Sequence, residues 1–309
     1  MENYTIEKLK SRQLTKNFTL YELTASYTAR FHHLDNVPDE AGISKLSTLC
    51  EKILQPVRDY FKVPVIIRSG YRSAQVNTLL NEAPNSRHLV CEAVDFRVKG
   101  IKLADVCSYI ADNLDFDLLQ LEFPDNDNTK NGWVHIAYSF DDSNRRLNLQ
   151  TYEARRKYKL SANFSLYELT HSATAESRRI FNLPDEAGIE RLRQLCLNIL
   201  QPVRDHYGKP VNVSSGYRSR KTNTAIGGAR SSQHMKCEAA DYEIMGISNL
   251  ELANWVAQNL VYDQLILEYH NNPSDPNSGW VHTSFVLPEK RNRRQILTIN
   301  HRGTHLGLS

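Results

Sequence analysis

Cysteine is scarce: the chain has five in 309 residues, at positions 50, 91, 107, 196 and 237, an odd number with no CxxC pair. That pattern suggests neither a disulfide framework nor a thiolate zinc site. Cys50 and Cys196 fall at apolar helical positions, where buried free thiols are expected. Long hydrophobic runs are also missing, and stretches such as DQLILEY fall far short of a membrane span. An excess of one charge is missing too: the formal net charge is only +3, too weak to argue for a nucleic-acid partner. The N-terminal stretch MENYTIEKLKSRQLTKNF is polar from its first residue and lacks the apolar core of a secretion signal. The expectation is a product made in a cytoplasm, with no membrane or nucleic acid among its partners. What remains is ordinary globular composition, 40% hydrophobic and 24% charged, in a chain long enough for two cores.

The sequence is written twice. NFTLYELTASYTA at 17 returns as NFSLYELTHSATA at 163, and ILQPVRDYFKVPVIIRSGYRS at 53 returns as ILQPVRDHYGKPVNVSSGYRS at 199. The offset holds at 146 from Leu14 to Glu122, and His135 then pairs with His282 at an offset of 147. A period of this size is a domain, not a solenoid repeat. The expected boundary lies in the polar stretch TYEARRKYKLS, giving domains 1–155 and 156–309. In the second copy, Ser165 and Glu168 form a capping-box pattern. Ile189, Leu192, Leu195, Cys196, Ile199, Leu200 and Val203 recur at helical spacing, with Gly208 as a stop. Short β-rich runs (NVSSG, CEAADYE, DQLILEY and WVHTSFV) flank a second helical pattern, NLELANWVAQNL. The expected fold is α+β, two tandem domains each with a small antiparallel sheet and helices packed on one side.

Each copy carries a histidine and an aspartate seven positions apart, followed by WVH on a strand. In the second copy these are His234, Asp241 and His282; in the first, His88, Asp95 and His135. Two imidazoles and a carboxylate are a three-ligand set for Zn²⁺ with a fourth position left for water. A proton shuttle is also needed. Glu268 and Glu122 end the apolar strand before the hairpin loop, where pairing with WVH would set them near the last histidine and burial would raise their pKa. Arg218 and Arg72, in SGYRS, could polarise a carbonyl or hold a carboxylate. Tyr217 and Tyr71 beside them are candidate substrate contacts, and Ser232 and Ser86, two residues before the first histidine, could bond substrate or a ligand carboxylate. Tyr21 and Tyr167 are expected to pack, the remaining histidines (32, 33, 171, 301 and 305 among them) to lie on the surface, and EKRNRR at 289–294 to form a solvated turn.

The ordered set SSGYRS, SQHMKCEAADYE, LILEY, WVHTSF resembles the zinc D-Ala-D-Ala carboxypeptidase family, peptidase-M15-like, with its S-x-H-x-x-G-x-A-x-D pattern and later W-x-H strand. The likeness covers nearly all of each copy. It implies the hedgehog/DD-peptidase fold and one zinc ion per domain, held by His234, Asp241 and His282 and by His88, Asp95 and His135. It places Arg218 and Arg72 at the family's substrate-binding arginine. It implies cleavage of bacterial peptidoglycan peptides, at the cell wall or as part of a phage virion. The alternative is a structural or wall-binding virion or tail component, in contact with other tail proteins, that keeps the fold without turnover. Three departures stand out. The family's glycine is Cys237 here, and Cys91 in the first copy, expected on the strand as a small inward-packing side chain. The position three before the last histidine, a catalytic glutamate in better-known members, is Gly279 or Gly132, so the base falls to Glu268 and Glu122. The first copy has LNE at 80–82 where the second has IGG.

Overall fold

The computed structural model describes residues 6–122, 132–141, 143–270, 278–288 and 291–308. The chain divides into two compact units, residues 1–154 and 155–309. Among the described residues no helix is long and apolar enough to cross a membrane.

In the second unit, Ser165 caps the helix Leu166–Thr170: its N–H and hydroxyl both donate to the Glu168 carboxylate, which closes the capping box. Asp185 caps the helix Glu186–Leu195 by accepting from the Gly188 N–H at 2.7 Å. That helix does not run evenly to its end. A π turn, Cys196–Leu200, precedes Gln201–Tyr207, and Pro202 sits in the first turn of this last segment. A proline has no N–H to donate and its ring crowds the carbonyl four residues back. A wider turn just before it accommodates both. The left-handed Gly208 (φ +62°) then ends the helix. The seven apolar positions from Ile189 to Val203 are all buried. Each of the six aliphatic ones contributes about 1.5–3 kcal/mol to the core.

The second sheet runs in the order 303–306, 295–300, 264–268, 280–284, 239–243, 212–215. Its pairings are antiparallel except one: Gln295–Asn300 lies parallel to Gln264–Glu268. The helix Asn249–Asn259 packs across strands Gln264–Glu268 and Trp280–Ser284. The first unit repeats this plan with strands Val65–Ser69, Ala93–Val98, Trp133–Ala137 and Leu118–Glu122. A two-residue parallel strand, Leu147–Asn148, completes that sheet. The expected α+β architecture is therefore present. The outer parallel strand is an addition to the all-antiparallel sheet expected from the sequence.

The expected solvated turn at 289–294 needs correcting at Arg293. Its guanidinium is more than half exposed, yet it donates to both carboxylate oxygens of Asp263, at 2.8 and 2.6 Å, and Asp263 is only 4% exposed. Glu289 and Lys290 of this stretch lie outside the described residues.

Candidate metal and active site

Antiparallel register brings the site together. Asp241 stands directly opposite His282, and Asp95 directly opposite His135. On the other side of each aspartate the neighbouring strand is irregular, between Val213 and Ser215 and between Ile67 and Ser69. Such a bulge bends the strand and re-aims its side chains. Here it leads into the SGYRS turn.

The first histidine of each set comes from a short 3-10 turn, Gln233–Lys236 or Arg87–Val90. Its imidazole is fixed by the backbone. The Nδ1–H of His234 donates to the Gly216 carbonyl at 2.7 Å, and that of His88 to the Gly70 carbonyl at 2.6 Å. A carbonyl only accepts, so the tautomer is set and Nε2 is left with its lone pair facing the aspartate. These glycines are required by close approach. A Cβ on Gly216 would stand 2.4 Å from the Leu169 carbonyl oxygen, and one on Gly70 would stand 2.3 Å from that of Leu23. The next residue in each turn donates its N–H to the same carbonyl. The Arg218 and Arg72 N–H groups donate to the carbonyls of His234 and His88, both at 3.2 Å.

In the second unit Asp241 Oδ1 lies 2.7 Å from His282 Nδ1 and 3.2 Å from His234 Nε2. Its other oxygen accepts from Arg218 at 2.6 Å, while Arg218 Nε donates to Ser215 Oγ at 2.7 Å. In the first unit His135 Nδ1 lies 2.7 Å from Asp95 Oδ1, and Arg72 donates to Asp95 Oδ2 at 2.9 Å. His88 Nε2 is buried without a hydrogen-bond partner, 3.4 Å from Asp95 Oδ2. In each unit the three donor atoms lie within 4.8 Å of one another, and all six residues are buried. Burial pushes the His234 imidazole down, which keeps it neutral. Burial would raise Asp241 and Asp95, but the facing imidazoles hold both carboxyls well below the usual range. Two imidazoles and a carboxylate in each unit, with an orphaned buried ring nitrogen on His88, fit a single divalent cation per unit.

Glu268 pairs with Trp280, and Ile266 with His282. Glu268 therefore shares a sheet face with His282, offset by one diagonal step of roughly 7–8 Å. Burial pushes its carboxyl up, and the negative charge of Asp241 adds to this. Glu122 holds the same register opposite Trp133 and is buried. The glycine three before the last histidine is explained as well. Gly279 has φ +73°, and a Cβ there would fall 1.8 Å from the Glu268 carbonyl oxygen, so no acidic side chain can stand at that position.

Arg72, Tyr71 and Asp95 line a groove of about 260 Å³ together with Tyr27, Arg68, Glu82 and Trp133. Tyr217 and Ser232 are half-buried beside Arg218 and His234. Ser86 is buried, its hydroxyl accepting from the His88 N–H. Cys237 and Cys91 are not on the strand, which is a correction. Each caps the 3-10 turn in the left-handed region, at φ +62° and +61°, which accounts for glycine at this place in the resembling family. Their sulfurs face Gly188 and Gly42, and burial pushes the Cys91 thiol up to about 12. All five cysteines are buried and free.

Two supporting groups were missed by sequence reasoning. Asn182 donates to the Thr170 and Tyr217 carbonyls and accepts from the Ser219 N–H, and Asn36 does the same in the first unit. Asp263 accepts from Gln233, the residue before His234, at 2.8 Å. Its counterpart Asp117 meets Arg87 at 2.8 Å and Arg145 at 2.6 Å. Their recurrence at equal offsets in both copies was the available signal.

A small α+β domain carrying a buried His, Asp, His cluster beside a carboxylate and an arginine has the makings of a metal-dependent hydrolase. The family model for peptidase M15 matches residues 16–137 and, a second time, residues 162–273. The chain belongs to the peptidase M15 family, as two successive copies, and this family of peptidases is zinc-dependent. The second match ends before His282, whose place is given by its pairing with Asp241. A comparison with curated protein sequences found no match.

Proposed function

We propose that the chain is a zinc-dependent peptidase of the D-Ala-D-Ala carboxypeptidase or endopeptidase type, acting on the peptides of bacterial peptidoglycan. The observation that carries this reading is the convergence, in both units, of two histidines and one aspartate from distant parts of the chain. His234, Asp241 and His282 would hold one ion, and His88, Asp95 and His135 a second. A zinc ion supplies Lewis acidity toward a peptide carbonyl and lowers the pKa of water. Asp241 keeps its orientation through Arg218, so that arginine positions a ligand as well as facing substrate. Glu268, with its raised pKa, is suited to take a proton from water and return it to the leaving amine; Glu122 has the corresponding place. Tyr217, Tyr71 and Ser232 flank the arginines and the first histidine and would contact the peptide.

The test is dye release from labelled sacculi by metal-loaded protein. Release abolished by a chelator and restored by zinc is expected. No release from the sacculi of any of several bacteria would overturn the proposal.

A further inference from the structure

The two arginines that hold the aspartates differ in one respect. Arg72 has every face engaged: Nε on Ser69, one Nη on Asp95, and the other Nη 3.4 Å from Glu82. Arg218 has the first two partners, Ser215 and Asp241, and no acidic partner among the described residues for its remaining nitrogen. The residue equivalent to Glu82 is Gly228, where a Cβ would fall 2.3 Å from the Asn223 side chain. LNE and IGG, the segment in which the two copies part company, thus differ at the arginine. The other cation of the first groove, Arg68, lies over the Trp133 ring, 5.4 Å from its centroid.

We infer that Glu82 is a specificity-determining residue, an internal carboxylate that occupies at Arg72 the place a peptide carboxylate takes at Arg218. The inference rests on the peptidase reading of these sites. A guanidinium presents a limited fork of donors, and a carboxylate already seated on one edge excludes another by occupation and by like-charge repulsion. The second unit therefore accepts peptides ending in a free carboxylate beside the metal site. The first refuses them and is left for ligands whose chain continues or is amidated at that point.

The experiment uses the full chain loaded with zinc, with Glu122→Gln and Glu268→Gln present to stop turnover. Calorimetric titration with N-acetyl-D-alanyl-D-alanine is expected to show one site per chain. Adding Arg218→Ala should remove it, and adding Glu82→Ala should raise the count to two. Glu82→Ala with Arg218→Ala should leave one. The C-terminal amide of the same dipeptide should gain no site from Glu82→Ala. Glu82 lies in a loop and is partly exposed, and unchanged zinc content confirms that the variant is folded; Glu82→Gln repeats the charge change without shortening the side chain. Two sites before Glu82 is changed, or no gain after it, overturns the inference. Failure of dipeptide binding in every variant also overturns it, whereas the peptidase reading itself is decided separately by dye release from sacculi.

Discussion

Replacing Asp263 by asparagine removes one charge and almost no volume, at a residue 4% exposed. In the native chain its carboxylate accepts from the Arg293 Nε and Nη at 2.8 and 2.6 Å, from the Arg293 N–H at 3.2 Å, and from Gln233 at 2.8 Å. Hydrogen bonds to a charged group contribute about 1.5–3 kcal/mol each, and they are not additive. An asparagine carbonyl retains one acceptor, and Arg293 is exposed enough to rehydrate. The expected loss is therefore about 2–3 kcal/mol for the second unit, a fall in melting temperature of roughly 5–10 °C for a domain of this size. The pH dependence follows from the Arg293 hydrogen bonds, which hold the Asp263 carboxyl below its ordinary 3.8. A folded pKa lower than the unfolded one contributes stability above the unfolded value and loses it as pH falls through the folded value. The gap between native and variant protein should be full at pH 7 and shrink below pH 3.8. Thermal unfolding of both proteins from pH 7 downward measures this, and hydrogen exchange across 233–237 reports loosening of the turn that carries His234. A difference under about 0.5 kcal/mol at pH 7, or one that does not change with acid, would refute the reasoning.

Glu268→Gln together with Glu122→Gln should lower turnover by about 10²–10⁴-fold with zinc content unchanged; dye release at native rates would show that neither residue is the base. Gly279→Ala forces a Cβ to within 1.8 Å of the Glu268 carbonyl oxygen, and should cost the second unit at least about 2 kcal/mol; an unchanged melting curve refutes it. Cys237→Gly relieves a left-handed backbone at a cost in buried sulfur packing, two effects of about 1 kcal/mol each that nearly cancel. Zinc content should stay the same, and loss of the ion from the second unit would make the thiol a ligand.

Much of this was legible because the chain states it twice. The helical spacing from Ile189 to Val203 needed only a 3.6-residue period, and a strand carrying WVH beside one carrying Asp241 needed only antiparallel pairing. What was not legible depended on distance in three dimensions. The π turn at Cys196–Leu200 follows from a proline inside an otherwise regular pattern, and periodicity does not register it. Cys237 read as a strand residue because its left-handed φ is invisible in composition. Arg293 read as a solvated charge because its partner, Asp263, is 30 residues away. SGYRS suggests that Arg218 can hold a carboxylate, but nothing in it announces that the carboxylate its fork grips is that of Asp241.

The Nδ1 edge of the His234 imidazole leans on a main-chain oxygen, that of Gly216. Ring orientation is consequently inherited from the path of the polypeptide. A saturation screen of the surroundings should find no amino-acid replacement that simply deletes this tether, because every residue type supplies the same oxygen. What remains vulnerable is the path itself, and the narrowest point on it is the passage of Gly216 against Leu169, so drift in the ligand's pose would be traced to the helix beneath it sooner than to any neighbour of the ring.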